Sequence, residues 1–283
     1  MEATAAMGFW SPRRFGQLLL REVVSGYRGL LIAMAAVGGS LVLIAALTAF
    51  GIAVSGGFAR AGADTFYFGF FQNLVYLGGF IVTSLAFREM WHNGGGIFYL
   101  TIPGSIFEKF VSKLLVTSVG FAVGSTVFFT AVAALAEGVT WLIAGTGHGF
   151  FNPFDPAVLH TIVVYLVVQS AFLLGSVWFR KLAFVKTVLW AALFLIAVGI
   201  IAAVVARIAL ADQFAWHTVQ AGGRSIGGWS WNLGNAQMQE LFAPGTRGYQ
   251  GLAVFETIAR VGSWVVAPVF WLAAYFRLGE VEV

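Results

Sequence analysis

The residues of this chain that could do chemistry are few, and the first of them is a serine in a Gly-x-Ser-x-Gly pattern. Ser225 lies between Gly223 and Gly227, the spacing of the turn that presents the nucleophilic serine in α/β hydrolases. His217 is the nearest candidate base and Asp212 the nearest candidate acid. That turn needs a strand before the serine and a helix after it, whereas this serine lies in a glycine-rich stretch. We therefore expect a loop here and no hydrolase site.

A second group of potential chemical residues contains ligands for a metal ion. His148, Asp155 and His160 lie close together in the sequence, but their spacing does not match a helical i, i+4 ligand pair. A turn followed by a helix-capping residue is the interpretation that we favour for this segment. The sequence contains no G-x-x-x-x-G-K-[ST] pattern, so the chain cannot bind ATP through a P-loop. We predict no catalytic residue, no metal and no cofactor.

The polar residues within or beside the longest apolar stretches indicate structural roles. Glu256 and Arg260 are four residues apart, so they would share one face of a helix and could form an orienting ion pair. Gln72, Asn73 and Gln169 are the main uncharged polar residues inside apolar stretches. Such side chains usually form hydrogen bonds between neighbouring membrane helices.

The elements that must position these residues are long apolar segments. The chain has 283 residues, of which 59% are hydrophobic and 10% are charged, and its mean hydropathy is +0.87. Soluble domains have roughly 25% charged residues. About 20 apolar residues in a helix cross the ~30 Å hydrocarbon layer of a membrane, and lipid-exposed backbone must satisfy its own hydrogen bonds. The composition predicts an all-α integral membrane protein with a single transmembrane domain over residues 1–283.

The apolar segments predict six transmembrane helices preceded by an amphipathic helix. Residues 11–28 alternate arginines with apolar residues at helical spacing, which is typical of a helix lying in the headgroup region. The connection at 88–113 is polar, and the one at 211–255 is rich in glycine and tryptophan. The predicted spans cover about 30–54, 65–87, 114–136, 158–179, 185–206 and 257–276.

The distribution of basic residues predicts the orientation of these spans. With the N-terminus inside, eleven of the 16 lysines and arginines fall on the inner side, and every lysine is among them. Cytoplasmic segments carry such an excess of positive charge. Both termini are therefore expected on the cytoplasmic side, which makes the 88–113 segment a cytoplasmic loop and the 211–255 segment an outside loop.

The cytoplasmic loop at 88–113 contains the signature of a short capped helix. Pro103 ends one element, and Ser105 can cap the next because Glu108 follows three residues later as in a capping box. The helix so started carries both phenylalanines and charged residues. A short helix of this kind along the membrane surface would suit the docking of a soluble partner. A tight turn without any partner is the alternative interpretation.

The same segment resembles a known family of transporter subunits. The run Tyr99-Leu-Thr-Ile-Pro-Gly-Ser-x-x-Glu108-Lys-Phe-x-x-Lys113 is similar to the Y-L-x-L-P-x-S-x-x-E-K stretch of bacterial ABC-2-type transporter permeases. The layout of the whole chain also resembles that family, with an amphipathic N-terminal helix, six spans and a long outside segment between the last two. Ile102 stands where the family usually has leucine.

This resemblance implies a membrane-spanning subunit of an ATP-binding cassette transporter, usually an exporter, in the bacterial cytoplasmic (inner) membrane. The expected partners are two copies of a separate P-loop ATPase subunit, a second permease subunit, identical or related, and membrane lipid, without nucleic acid. The chain itself would not be an enzyme. By the same resemblance the N-terminal helix is a second contact region. The residues expected to contact the ATPase are Arg88, Glu89, His92, Glu108 and Lys109.

The function expected from this resemblance is ATP-driven movement of a hydrophobic or amphiphilic substrate across the membrane. The alternative is a membrane anchor or scaffold subunit of a larger complex that transports nothing. A secondary transporter is disfavoured because the spans are nearly free of ionisable residues and show no evident inverted repeat. An intramembrane enzyme is disfavoured because paired ionisable residues are missing from the interior of the predicted spans.

Overall fold

The computed structural model of the protein describes residues 10–55, 63–91, 104–145, 149–209, 214–221, 224–231 and 247–282. Most of these residues are helical, and they include two π-helical turns, a 3-10 turn and a β-hairpin. The helices are α1 (Pro12–Ser55), α2 (Ala63–Asn73), α3 (Gly79–Ser84), α4 (Ile106–Leu115), α5 (Phe121–Ala144), α6 (Pro156–Trp178), α7 (Ala183–Ala209) and α8 (Arg247–Glu282). The other elements are the π-helical turns Leu74–Gly78 and Val116–Gly120, the 3-10 turn Arg88–Trp91, and strands β1 (Phe214–Ala221) and β2 (Arg224–Trp231).

Five helical segments of the described chain are long and apolar enough to cross a membrane, which is the architecture of a multi-pass membrane protein. They overlap the first five predicted spans. The sixth predicted span, 257–276, lies inside α8, which is not among the five. The five segments are Gly29–Val54, Tyr67–Trp91, Ile106–Ala144, Pro156–Trp178 and Ala183–Ala202.

Helix α1 corrects the prediction of a separate interfacial helix at 11–28. One uninterrupted helix of 44 residues runs from Pro12 to Ser55, so the amphipathic segment and the first span are a single element. At 1.5 Å per residue it is about 66 Å long, twice the ~30 Å of the hydrocarbon layer. The helix does not break near residue 29 because its first turns pack against another helix, where Leu18 is 6% exposed.

The partner of α1 is the continuous helical run formed by α4, the second π-helical turn and α5. The Glu22 carboxylate contacts the Lys113 ammonium, and further along, an added Cβ at Gly38 would lie 3.1 Å from Phe128. The residue numbers rise together on both helices, so the two helices run parallel. Each begins at the same end of the molecule.

The run starting at Ile106 also corrects the predicted boundary between the cytoplasmic loop and the third span. The capping box at Ser105 and Glu108 is confirmed, with both of its hydrogen bonds present. The capped helix does not end before the predicted span at 114–136 but continues through the π-helical turn to Ala144. Its 39 residues extend about 58 Å. Part of this run must therefore protrude from a ~30 Å hydrocarbon layer.

The chain divides into two compact units, and the first comprises residues 1–186 and 266–283. Its described residues form two clusters of buried apolar side chains. The first core cluster joins α1, α2, α5 and α6, and includes Leu41, Tyr67, Phe71, Phe129, Val158 and Tyr165. The second core cluster joins the end of the second span, α4, the end of α6 and the end of α8, and includes Phe87, Phe110, Leu173, Val177, Ala274 and Leu278.

The second unit comprises residues 187–265 and contains the β-hairpin. Strands β1 and β2 are antiparallel, with Trp216 opposite Trp229 and Val219 opposite Ile226. The hairpin departs from the all-α prediction, and the start of α8 at Arg247 shortens the predicted outside loop 211–255. Aromatic and β-branched residues favour strands, which accounts for regular structure within a segment that is also rich in glycine.

Candidate functional site at the basic end of the bundle

Three basic residues predicted for the inner side, Lys113, Arg180 and Arg277, lie at one end of the first unit. The Lys113 ammonium lies over the Phe87 ring at 5.7 Å. The Arg180 guanidinium lies 5.2 Å from the Trp91 ring, and the Arg277 guanidinium lies 5.1 Å from the Trp178 ring. These contacts join the end of the second span to α4, α6 and α8. We call this region the basic end.

Glu108 connects the first turns of the two long parallel helices. Its Oε2 accepts a hydrogen bond from the Ser105 backbone N–H at 3.0 Å, which completes the cap of α4. Its Oε1 accepts one from the Ser11 backbone N–H at 2.6 Å, directly before α1. An Arg14 guanidinium nitrogen lies 3.5 Å from the same oxygen. One carboxylate therefore occupies two helix N-termini, where the helix dipoles favour negative charge.

The environment of Glu108 stabilises its charged form. Its side chain is 0% exposed. Burial disfavours the carboxylate, and the hydrogen bonds from the backbone of Ser105 and Ser11, together with the Arg14 guanidinium, offset this cost.

A second ion pair joins α1 to α4 further along the two helices. The Lys113 Nζ lies 2.7 Å from Glu22 Oε2, and the two side chains are 4% and 14% exposed. Lys109, between Glu108 and Lys113 on α4, is also buried. The charged residues of α4 thus face the protein's own interior, and they hold α1 along its side.

The predicted partner contacts are placed in two different settings. Arg88 and Glu89 are exposed in the 3-10 turn, with the Glu89 carboxylate 3.8 Å from the Arg21 guanidinium. Glu108 and Lys109 are buried within the chain, so their direct contact with a partner is not favoured by this arrangement. His92, the fifth predicted contact, lies outside the described residues. Contact with a partner stays a prediction for all five residues, and exposure favours Arg88 and Glu89 for it.

Aromatic residues extend the basic end beyond what the sequence indicated. The Trp10 ring lies 4.5 Å from the Phe15 ring and 6.0 Å from the Phe107 ring. Phe107 in turn contacts Tyr275 of α8 with ring centroids 6.2 Å apart. The starts of α1 and α4 and the end of α8 therefore share one aromatic contact surface. The contribution of Trp10 and Tyr275 depends on tertiary contacts that no local sequence pattern predicts.

A buried polar seam continues from the basic end into the first unit. The Tyr165 hydroxyl donates a hydrogen bond to the Thr117 carbonyl, and Gln169 Nε2 donates to Thr117 Oγ1 at 3.2 Å. The prediction that Gln169 bonds between helices is thus confirmed. That prediction is wrong for Asn73, whose side chain donates to the Gly69 carbonyl within α2 at 2.9 Å.

The two π-helical turns flank this seam. Thr117 belongs to the turn Val116–Gly120, and Gly79 directly follows the turn Leu74–Gly78. A Cβ added at Gly79 would lie 2.2 Å from the Tyr165 ring, so the absence of a side chain allows the close approach of the two helices. π-Helical turns often occur at functional sites. The seam is therefore the part of the first unit where the helices depart most from regular geometry.

The remaining candidate sites do not assemble chemistry. Asp155 Oδ1 accepts the Ala157 N–H at 2.8 Å, which confirms its predicted capping role. His148 lies outside the described residues, and the described part of the chain contains no group of three potential metal ligands. Ser225 lies within β2, opposite Gln220, and not on a turn from a strand into a helix. The side chains of Glu256 and Arg260 lie outside those described.

Comparison of the chain with protein-family models, with curated proteins and with solved structures finds no match. The case for a function consequently rests on the contacts of the chain's own residues. Those contacts distinguish the charged residues of α4, which are buried, from Arg88 and Glu89 beside them, which are exposed.

Proposed function

We propose that the protein is the membrane-spanning permease subunit of an ATP-binding cassette transporter. It moves a hydrophobic or amphiphilic substrate with energy from ATP that a separate P-loop ATPase subunit hydrolyses. The observation that carries this proposal is the continuity of α4 with a helix of membrane-spanning length. A helix capped at Ser105 begins at the basic end and runs to Ala144 with no non-helical residue.

Continuity matters because a force applied at the basic end is transmitted along a helix that does not break. Helix α4 is bound to α1 through Glu108 and through the pair of Lys113 with Glu22. It also packs on Phe87 at the end of the second span. A partner that displaces the basic end therefore moves three membrane helices together. Coupling between an ATPase and a transport path needs such a connected set of elements.

The exposed charges next to this rigid element supply the proposed docking surface. Arg88 and Glu89 point to solvent from the 3-10 turn, and Arg13 is exposed at the start of α1. Rim charges of this kind steer association and fix the register of a partner. We assign direct contact to Arg88 and Glu89, and a positioning role to Glu108 and Lys109.

The basic end faces the cytoplasm in this proposal, since excess lysine and arginine mark cytoplasmic segments. The N-terminus, the C-terminus and the 88–113 segment then lie on that side of a bacterial inner membrane. The working assembly contains two ATPase subunits and a second permease subunit, identical or related. The sixth span is formed by α8, whose C-terminal part belongs to the second core cluster.

The test begins with affinity purification of the tagged full-length protein in a mild detergent and mass spectrometry of what is recovered with it. The decisive variant is the charge swap Arg88→Glu with Glu89→Arg, which preserves the net charge. Its matched control is Lys181→Glu with Glu280→Lys, a swap of two other exposed residues of the basic end.

Recovery of a P-loop ATPase with the wild type and the control, but not with the Arg88 and Glu89 swap, supports the proposal. An intact, monodisperse sample without any ATPase contradicts it. Recovery of the ATPase without ATP-dependent movement of lipophilic probes in reconstituted vesicles would favour the alternative, a non-transporting anchor or scaffold subunit.

A further inference from the structure

A cavity of about 340 Å³ lies in the first unit, away from the basic end. It is formed by the start of α2, the start of α6 and the segment 149–155 between α5 and α6. The other ends of the second span and of α6 belong to the basic end, so the cavity is at the opposite end of the same helices. Its volume falls within the 300–1,000 Å³ typical of small-molecule sites.

Among the described residues that line this cavity, aromatic rings are combined with one charged side chain. Tyr67, Phe68, Phe150 and Phe151 are among the lining residues, and Asp155 is the charged one. Asn152 and two small or branched apolar residues of α6 complete much of the remaining surface. Aromatic faces attract cations through their quadrupoles, and a carboxylate adds a full negative charge to the same space.

The aromatic wall is fixed by the core of the first unit. The Phe151 ring lies 5.3 Å from the Phe71 ring and 4.9 Å from the Phe129 ring, so it is packed against both α2 and α5. Tyr67 is 5% exposed. A wall held in this way does not have to be ordered when a ligand binds, which favours affinity.

Glu137 holds two parts of this wall in place from behind. Its Oε2 accepts a hydrogen bond from the Tyr67 hydroxyl at 3.3 Å, and its Oε1 accepts one from the Gly149 backbone N–H at 3.1 Å. Both donors belong to residues that line the cavity. Glu137 thus positions the tyrosine and the backbone of the 149–155 segment relative to each other.

Asp155 and Phe150 lie at the open side of the cavity, since both are exposed. Asp155 Oδ1 accepts the Ala157 N–H at the start of α6, and the residue also lines the cavity. Phe150 is 80% exposed although it lines the cavity. A ligand that enters meets a carboxylate and an aromatic ring first, and the packed rings of Tyr67 and Phe151 further in.

We propose that this cavity binds a small organic cation, an ammonium group that carries apolar substituents. Asp155 provides the opposite charge, the aromatic rings provide cation–π contacts, and the apolar substituents leave water against Phe68 and Phe151. An anion of the same size is repelled by Asp155. The site is built from contacts within the first unit, so it does not depend on an ATPase partner.

The probe for this proposal is benzyltrimethylammonium, and benzylsulfonate is its control of similar size and opposite charge. Binding to the full-length protein in lipid nanodiscs is measured by ligand-observed NMR and equilibrium dialysis. Saturable binding of the cation and no saturable binding of the anion is the expected result. Equal retention of both probes, or no saturable binding of the cation at millimolar concentration, overturns the proposal.

Two phenylalanines of the 149–155 segment provide a matched pair of variants. Phe150 and Phe154 are both 80% exposed, so neither truncation removes core packing, but only Phe150 is among the lining residues. Phe150→Ala should weaken binding of the cation about 2- to 5-fold, the range of a single cation–π contact at an exposed site, and Phe154→Ala should leave it unchanged. Equal weakening by both variants shows non-specific retention and overturns the site.

The charge of Asp155 is tested separately from its structural role. Asparagine is as good a helix N-cap as aspartate, so Asp155→Asn keeps the start of α6 while it removes the charge. We expect at least a fivefold loss of affinity for the cation and a weaker dependence of binding on salt concentration. Unchanged affinity in a variant with the thermal stability of the wild type would exclude the proposed recognition of charge.

Discussion

Neutralising Glu22 leaves the ammonium of Lys113 buried without its carboxylate. The two groups are 2.7 Å apart, and Lys113 is only 4% exposed. Removal of one partner from a buried ion pair typically costs 3–5 kcal/mol. Because Glu22 is 14% exposed and the Phe87 ring remains 5.7 Å from the ammonium, we expect the lower end of this range. The Glu22→Gln variant should lose about 3 kcal/mol of stability.

The chain contains its own control for this measurement. Arg21 and Glu89 form a second ion pair of α1, which joins it to the end of the second span. The two side chains are 42% and 50% exposed, and the guanidinium lies 3.8 Å from the carboxylate. An exposed ion pair contributes about 0–1 kcal/mol, so Glu89→Gln should change stability little. The double variant Glu22→Gln with Lys113→Met should recover much of the loss, since it removes both charges.

Thermal unfolding of the purified full-length protein in one detergent measures these differences. A loss of 3 kcal/mol corresponds to a fall in Tm of roughly 6–12 °C, and Glu89→Gln should shift Tm by less than about 3 °C. All variants need one scan rate because heating membrane proteins is often irreversible. Equal shifts in Tm for Glu22→Gln and Glu89→Gln would refute this reasoning. They would favour the original prediction that residues 11–28 form a separate interfacial helix.

Three further variants test other contacts of the first unit. Gly79→Ala should destabilise the protein by about 1–3 kcal/mol through overpacking, because its Cβ would lie 2.2 Å from the Tyr165 ring. Gly124→Ala is the control, since its Cβ would meet open space and should leave the stability unchanged. Tm of both variants measures this difference. Ser105→Ala should lose about 1 kcal/mol by removing the side-chain cap of α4, seen in the same assay. Glu108→Gln should lose about 1.5–3 kcal/mol, because the Ser105 and Ser11 N–H groups lose a charged acceptor; Tm measures this loss as well.

Contrary results would be informative in each case. A Gly79→Ala variant as stable as Gly124→Ala would mean that α3 and α6 are farther apart than the contacts indicate. A Ser105→Ala variant of unchanged stability would show that the start of α4 is held by its tertiary contacts alone. A Glu108→Gln variant of unchanged stability would mean that the charge of the carboxylate adds nothing to its two hydrogen bonds.

The presence of membrane-length helices and the start of α4 were predictable from the sequence because both depend on local properties. Apolar segments of about 20 residues locate membrane-length helices, and the Ser105 and Glu108 spacing located the start of α4. The two π-helical turns were not predictable, since no local sequence pattern distinguished them from the α-helices on either side. Gly79 follows one turn directly, and Tyr165 donates a hydrogen bond to Thr117 of the other. We infer that packing between helices, which is not a local property, determines where the turns occur.

The site was only partly predictable, because the elements packed beside a helix decide which of its charged side chains are buried. The sequence pattern placed Glu108 and Lys109 in a helix with charged and apolar faces but contained no information on which helix lies beside it. The parallel packing of α1 buries both residues. One signal was present in residues 11–28, where Glu22 is the single acidic residue among four arginines. A lone carboxylate in a basic segment favours pairing with a lysine of another element.

The burial of Glu108 and Lys109 decides which experiments can show a partner contact. Reversing their charges would break the cap of α4 and its bond to Ser11, so a lost partner would follow from a displaced helix as readily as from a lost contact. Arg88 and Glu89 are exposed, and the ion pair of Glu89 with Arg21 is weak because its charged atoms are 3.8 Å apart. A charge swap there leaves the helices in place. Loss of an ATPase in that variant, with an unchanged Tm, therefore reports on the interface itself.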